Sequence, residues 1–438
     1  MKSVQIITLG CSKNTVDTEH ILYQVRDELQ IVPQDADPEH VDYLLLNTCG
    51  FIGDAKEESV NAIMSAVQRK LEGRADRIIV FGCLSQRYSD ELPGLIPEVD
   101  EWYGARDFDP VVKALGVTPL PENECGRIFT EEHPGSAYLK ISEGCDRRCS
   151  YCAIPYIRGA HRSVPIEKLV AETEFLASMG VRELVLIAQD TTYYGLDLYK
   201  KRALAELIGK LSEVEGIEWI RIHYSYPSSF PEDVLEMMAT NPKVCPYLDI
   251  PLQHISDSML EKMHRHCDGR TTRELVRKLR EQVPGVALRT TMIVGHPGEG
   301  EEEFEELLDF VRETRFERLG AFTYSEEEGT YGARHFADGI PQEVKEDRLS
   351  RLMNLQREIS SAFNISRVGT RERVIVDAYT DGMLVCRSRY ESPEVDGEIL
   401  VRYDSQLAGG RAPEDLPGEF LNVRITGAGD YDLTAEMI

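Results

Sequence analysis

The chain has 438 residues, 42% of them hydrophobic, enough for about three domains at ~150 residues each. Its 49 Lys and Arg face 76 Asp and Glu, a net charge of −27. That balance argues against a non-specific binder of nucleic-acid phosphates and suits small ligands or a basic partner.

In chain order, Val4–Leu9 reads as a strand, Thr15–Leu29 as a helix, Tyr43–Asn47 as a strand, Asp54–Leu71 as a helix and Arg77–Phe81 as a third strand. Strands separated by helices predict a parallel α/β sheet. Thr8–Cys11 looks like a lipoprotein cleavage box, but the apolar run before it is too short for a signal segment. No run approaches the ~18–20 apolar residues of a membrane span, so a cytoplasmic protein without a membrane partner is expected. Residues 116–135, with Pro119, Pro121 and Pro134, read as a linker.

Alternation resumes with strands at Tyr138–Ser142, Leu184–Ala188, Trp219–His223, Tyr247–Pro251, Ala287–Val294 and Leu319–Tyr324. Helical stretches such as Ile166–Met179 and Glu301–Glu313 intervene. Six β/α units predict a partial, open (β/α)6 barrel, whose site lies at the carboxyl ends of its strands. A helix at Gln342–Phe363 closes the region. Beyond it, Glu372–Ala378, Met383–Ser388, Ile399–Tyr403 and Phe420–Ile425, with a hairpin signal at Asp381-Gly382, predict a small five-stranded all-β barrel. Domains are expected at 1–118, 131–365 and 367–438.

Ten cysteines are too few for a disulfide scaffold, and clustered thiols in an intracellular chain point to metal or catalysis. Cys11, Cys49 and Cys83 each follow the end of a predicted strand by two residues, with Gly10, Gly50 and Gly82 beside them. In a parallel sheet these ends share one edge, where ligands bind, so the three thiols should converge. Burial as small hydrophobes explains one such coincidence but not three. A second trio, Cys145, Cys149 and Cys152, stands in C-x3-C-x2-C spacing after another strand. Zinc completed by a residue such as His161 is the competing reading, but structural zinc usually takes paired C-x2-C units and only one is present. Cys125, Cys245, Cys267 and Cys386, and His254, His264, His266 and His296, are expected to be structural or solvent-facing.

The C-x3-C-x2-C loop is similar to the cysteine signature of radical S-adenosylmethionine (SAM) enzymes. "LGCSKN", "LNTCGFIGDAKEES", "FGCLSQ" and "SEGCDRRCSYCAIPYIRGAHRS" resemble the blocks of the methylthiotransferase family, over essentially the whole chain. The C-terminal barrel resembles a TRAM domain. "IAQDTTYYG", "PYLDIPLQH", "LRTTMIVGHPGE" and "GAFTYSEEEGT" are closer to the RimO-like branch, which modifies an aspartate of the twelfth small-subunit ribosomal protein, than to the MiaB-like branch, which modifies a tRNA adenosine.

The resemblance implies two [4Fe–4S] clusters, on Cys145, Cys149 and Cys152 and on Cys11, Cys49 and Cys83, each with one open iron. The first would chelate SAM and yield a 5′-deoxyadenosyl radical; the second would hold sulfide or polysulfide as the sulfur source. It implies methylthio transfer to the β-carbon of the aspartate, with an electron donor such as flavodoxin or ferredoxin. No catalytic side chain is assigned beyond the clusters. Tyr151 matches the family's aromatic position near the adenine, and Gln189 and Asp190 the place where related cores contact the methionine moiety. Ile293 and Gly295 match the family's G-x-I-x-G-x-x-E stretch, which this chain leaves at Thr291, in place of its first glycine, and at Glu299, one residue late. Residues 371–438 hold seven arginines, no lysine and fourteen carboxylates, a net −7 that suits a basic ribosomal protein and makes tRNA an unlikely partner. A non-catalytic metal-binding protein of the ribosome is the remaining alternative.

Overall fold

The computed structural model describes residues 1–121, 124, 126–130 and 135–438. Cys125 and part of the expected linker lie outside the described residues. The amino-terminal sheet comprises β1 (Ser3–Thr8), β2 (Gln30–Val32), β3 (Val41–Thr48), β4 (Ala75–Gly82) and β5 (Glu101–Trp102), in the order β2-β1-β3-β4-β5. Every pair is parallel. Its central strands are buried on both faces, as helix-covered parallel strands must be; Leu45 and Phe81 belong to one core and Leu46 and Val80 to the other.

A second sheet contains β6 (Ser136–Lys140), then, past a short hairpin of β7 (Ser142–Glu143) and β8 (Arg162–Ser163), β9 (Glu183–Ile187), β10 (Trp219–Ile222), β11 (Val244–Asp249), β12 (Ala287–Val294) and β13 (Arg318–Thr323). The spatial order β13-β12-β11-β10-β9-β6 follows the chain, all parallel, and β6 is not bonded to β13. This is the open six-unit barrel expected. The helix after it runs Gln342–Arg367. A closed barrel follows, β14 (Arg371–Thr380), β15 (Met383–Arg387), β16 (Ile399–Arg402), β17 (Phe420–Ala428) and β18 (Leu433–Met437), in the order β14-β15-β16-β18-β17. The fifth strand, β18, had no reading in the sequence; it pairs parallel with β16, a partner 34 residues upstream in register. Among the described residues no helix is long and apolar enough to cross a membrane.

The closed barrel docks on the amino ends of the six-stranded sheet. Trp219, the first residue of β10, meets Phe420 edge-on at 4.6 Å. Glu183, the first residue of β9, is fully buried and takes ion pairs from Arg221 and Arg387, both at 2.9 Å, and a hydrogen bond from Ser136 at 2.8 Å. Arg318 reaches Glu391 at 2.8 Å. Glu183→Gln would leave two buried guanidiniums around a group that no longer carries charge. The expected loss is about 3–5 kcal/mol, seen as a lower urea midpoint for the core and barrel together.

Candidate active site

The amino-terminal sheet lies over the opposite, carboxyl end of the six-stranded sheet. Thr8, Asn47 and Phe81 stand in register across β1, β3 and β4, so Cys49 and Cys83 come level and Cys11 follows one residue further on. Cys11 caps α1 (Ser12–Val25), Cys49 precedes the turn into α2 (Gly53–Leu71), and Cys83 opens α3 (Cys83–Arg87). Gly10, at φ +93, lets the first loop close: a Cβ there would stand 2.6 Å from Cys49 Cβ and 2.9 Å from its Sγ. Ser59 Oγ accepts from Cys49 N at 3.0 Å and donates to Cys49 O at 2.9 Å, fixing the second loop.

The loop of residues 144–161 rises between β7 and β8. Cys145 N donates to Gly159 O at 3.0 Å, Ser150 N to Met263 O at 3.0 Å, and Gly332 N to Ser150 O at 2.7 Å. These bonds hold Cys145, Cys149 and Cys152 on a backbone closed on itself at Gly159 and anchored to two other segments. All six cysteines line one cavity of about 440 Å³, between the two sheets. Among the described residues no group of three or more His, Cys, Asp or Glu side chains gathers around a single metal ion. A four-iron cluster asks for something else, one thiolate per iron, and each set supplies three. His161, the possible fourth zinc ligand, is turned to Ser163 Oγ at 3.0 Å and is absent from the cavity lining.

Burial pushes the Cys49 thiol up to about 11 and the Cys145 thiol up to about 12, and raises Cys83 and Cys152 as well. Buried thiols of this kind ionise when a cation binds them. Each set also has one arginine. Arg158 Nε donates to Cys83 Sγ at 3.1 Å, and Arg265 Nη1 donates to Cys149 Sγ at 3.4 Å and to Tyr151 OH at 3.2 Å. Arg158 rises from the loop of one set to bond a cysteine of the other. Asp17 and Glu143, at 2.9 and 3.0 Å, hold it there. Burial opposes ionisation of Glu143, but Lys140 and Arg158 keep its carboxyl well below the usual range.

Of the residues singled out in the sequence, Tyr151 and Gln189 line the cavity with the six cysteines. Gln189 Nε2 donates to Glu143 at 2.6 Å, and its buried Oε1 has no partner among the described residues. Asp190 lies outside the lining: it accepts from Thr192 N at 2.9 Å and from Arg147 Nε at 2.9 Å. Arg147 does line the cavity, stacked 3.9 Å from the Tyr226 ring centre, and its buried Nη2 has no partner among the described residues. An orphaned acceptor and an orphaned guanidinium donor in one cavity fit a ligand carrying both an ammonium and a carboxylate. Ile293 and Gly295 stand outside the lining, while Thr291 is part of it. Gly295 N donates to Glu299 at 3.0 Å, and Glu299 also pairs with Arg348 at 2.9 Å, so this turn is held together internally.

Sequence reasoning missed Lys13, Arg147, Arg158, Tyr224, Tyr226, Gln253 and Arg265, all in the lining. Tyr224 and Gln253 hold positive φ, +55 and +75, just past the ends of β10 and β11, the backbone strain often found at functional sites. Cys245 and Cys386 are buried in cores, and His254 and His296 are buried and hydrogen-bonded.

Three family models match this chain: the Radical SAM superfamily over residues 139–311, the uncharacterized protein family UPF0004 over 3–104, and the TRAM domain over 368–438. It is 50% identical over 436 residues to a ribosomal protein uS12 methylthiotransferase RimO of Porphyromonas gingivalis, covering 99% of both chains. It is 48% identical to the Bacteroides fragilis protein of the same name, covering 100% of this chain and 99% of the relative. In fold it is similar to the radical SAM methyltransferase TsrM of Kitasatospora setae, solved with tryptophan and a SAM analogue, with TM-score 0.54, 13% identity and coverage of 95% and 82%. The cobalamin-dependent SAM radical enzyme OxsB matches with TM-score 0.52, 14% identity and coverage of 82% and 56%.

Proposed function

This chain belongs to the RimO family of ribosomal protein uS12 methylthiotransferases, and we propose that it places a methylthio group on the β-carbon of an aspartate of uS12, using two [4Fe–4S] clusters. It is a radical SAM enzyme of the transferase class. One observation carries the finer reading: two three-thiol sets, from different sheets, line one cavity. A single radical reaction needs one set; a reaction that also delivers sulfur has use for both.

When bound, the clusters supply the electron that splits SAM and an open iron that carries sulfide or polysulfide. The chain's own groups do the rest. Cys145, Cys149 and Cys152 hold the first cluster and Cys11, Cys49 and Cys83 the second. Gln189 Oε1 and Arg147 Nη2 receive the ammonium and carboxylate of SAM, and Asp190 acts through Arg147 by fixing its guanidinium. Tyr151, its hydroxyl tied to Arg265, lies against the adenine. Arg265 and Arg158 each direct an N–H at a ligand sulfur, a contact that shapes a cluster's potential. The electron comes from an external donor such as flavodoxin or ferredoxin. The target β C–H is not acidic, so no side-chain base is required.

The chain's net charge of −27 favours a basic protein over tRNA as the acceptor. The closed barrel, at the far end of the six-stranded sheet, is a second contact for uS12 rather than a wall of the cavity. Mass spectrometry of uS12 and of bulk tRNA from cells with and without this protein tests the reading. The methylthio group should disappear from the uS12 aspartate in the deletion strain and leave tRNA unchanged; a loss confined to a tRNA adenosine would overturn it.

A further inference from the structure

Among the described residues four cations line the cavity, Lys13, Arg147, Arg158 and Arg265, and no carboxylate does, in a chain with 27 more negative than positive groups. Three of the four already have an ion-pair or hydrogen-bond partner, although Arg147 keeps its Nη2 free for SAM on the reading above. Arg147 pairs with Asp190, Arg158 with Asp17 and Glu143, and Arg265 donates to Cys149, Tyr151 and the Pro251 carbonyl. Lys13 is different. It is 8% exposed, and among the described residues its ammonium has no hydrogen bond and no ion pair. Its one contact of note is the face of Tyr224, with Nζ 3.4 Å from the ring centre.

The placement is costly in three ways. Lys13 lies in the first turn of α1, where the helix dipole disfavours a cation. Its stem is buried, and its ammonium, open to the cavity, has no counter-ion among the described residues. Its aromatic partner, Tyr224, carries a strained φ of +55 just past the end of β10. A cation–π contact offsets part of that cost but leaves the ammonium's three N–H donors unspent. The ammonium is thus held between the two sheets, two residues from Cys11 and beside a side chain of the six-stranded core, with its donors free to face an incoming anion.

We propose that Lys13 binds the side-chain carboxylate of the acceptor aspartate and thereby selects an acidic side chain at this site. The inference rests on the reading that the acceptor is an aspartate of uS12. Holding the carboxylate oxygens fixes the β-carbon one bond from the carboxyl carbon, in the same cavity as both thiol sets. Lys13 is therefore a specificity-determining residue for a step that requires its target C–H to be still. An asparagine oxygen can accept from one of the ammonium's N–H donors but brings no charge, so a neutral acceptor leaves the ammonium without a counter-ion and loses the charge-assisted part of the bond.

The test uses the full chain, anaerobically reconstituted, with intact uS12 and with uS12 whose acceptor aspartate is replaced by asparagine. Binding of both forms, methylthiolation (KM against kcat), SAM affinity and iron content are measured for the unsubstituted chain, Lys13→Met and Lys13→Arg. A charge-assisted hydrogen bond of this kind corresponds to roughly a 10- to 100-fold preference for the aspartate form. That preference should be present in the unsubstituted chain, largely kept in Lys13→Arg and lost in Lys13→Met, with iron content and SAM affinity unchanged. Retention of the full preference by Lys13→Met would overturn the proposal. So would a variant whose defect lies in SAM affinity or iron content, since Lys13 would then serve SAM or the cluster on Cys11. If the unsubstituted chain binds and modifies neither form of uS12, the acceptor reading itself fails and the proposal falls with it, a result distinct from normal modification with unaltered preference.

Discussion

Cys149→Ala is expected to reduce 5′-deoxyadenosine formation from SAM to background and, with it, all methylthio transfer. On the proposed reading the remaining thiols, Cys145 and Cys152, would be two ligands for a cluster that needs three to keep one iron open and the rest held. Iron after reconstitution should fall from about eight to about four per chain. The loss would not come from unfolding. The loop is pinned by backbone bonds at Cys145, Ser150 and Gly332, none of which uses the Cys149 side chain. Arg265 loses one acceptor but keeps Tyr151 and the Pro251 carbonyl. Circular dichroism and the thermal midpoint should therefore stay close to those of the unsubstituted chain. SAM cleavage at the unsubstituted rate would remove Cys149 from the radical site.

The strand-end cysteines were legible in the sequence because parallel sheets impose a common edge. Once Val4–Leu9, Tyr43–Asn47 and Arg77–Phe81 are strands, the thiols after them must share that edge, and the register of Thr8, Asn47 and Phe81 makes it so. The open six-unit barrel was legible for a similar reason, since alternating strands and helices leave few topologies. The strand Leu433–Met437 was not. Its pattern is short, carries Thr434 and Glu436, and acquires meaning only beside β16.

The cavity's cations were invisible for a different reason. Lys13 in a first helical turn, or Arg158 six residues past a cysteine, reads as solvated charge. What sets each apart is a partner remote in sequence: Tyr224 for Lys13, Cys83 and Asp17 for Arg158. The same holds for the closed barrel. Its net −7 was countable, but the burial of Arg387 at Glu183, at the end of the sheet away from the cavity, follows from docking that composition does not encode. Asp190 shows the converse. Its position at a strand's carboxyl end was legible, yet its carboxylate is spent on Thr192 and Arg147, so Arg147 is the side chain that reaches the cavity.

Cys49→Ala should separate the two halves of the reaction. The cavity's other trio is untouched, so SAM cleavage should persist, while methylthio transfer to uS12 should fall to background. The backbone around Cys49 is secured by Ser59, which bonds both its N–H and its carbonyl, so the substitution removes a sulfur without freeing the loop. The thiol itself is buried against Gly10, and an alanine methyl fits where its Cβ already stands. Folding should therefore change by no more than about 1 kcal/mol, the centre of the range for single substitutions. Iron should again fall to about four per chain, now with the radical site loaded. Cys83→Ala should reproduce the defect, and the double variant should be no worse than either, because on the proposed reading both thiols serve one cluster and its loss is complete with the first. Two measurements decide the matter: 5′-deoxyadenosine per chain, and methylthiolated uS12 per chain. Cleavage without transfer is the expected pair. Transfer at the unsubstituted rate would reduce the three amino-terminal thiols to packing, and loss of cleavage as well would mean that the two sites do not load independently.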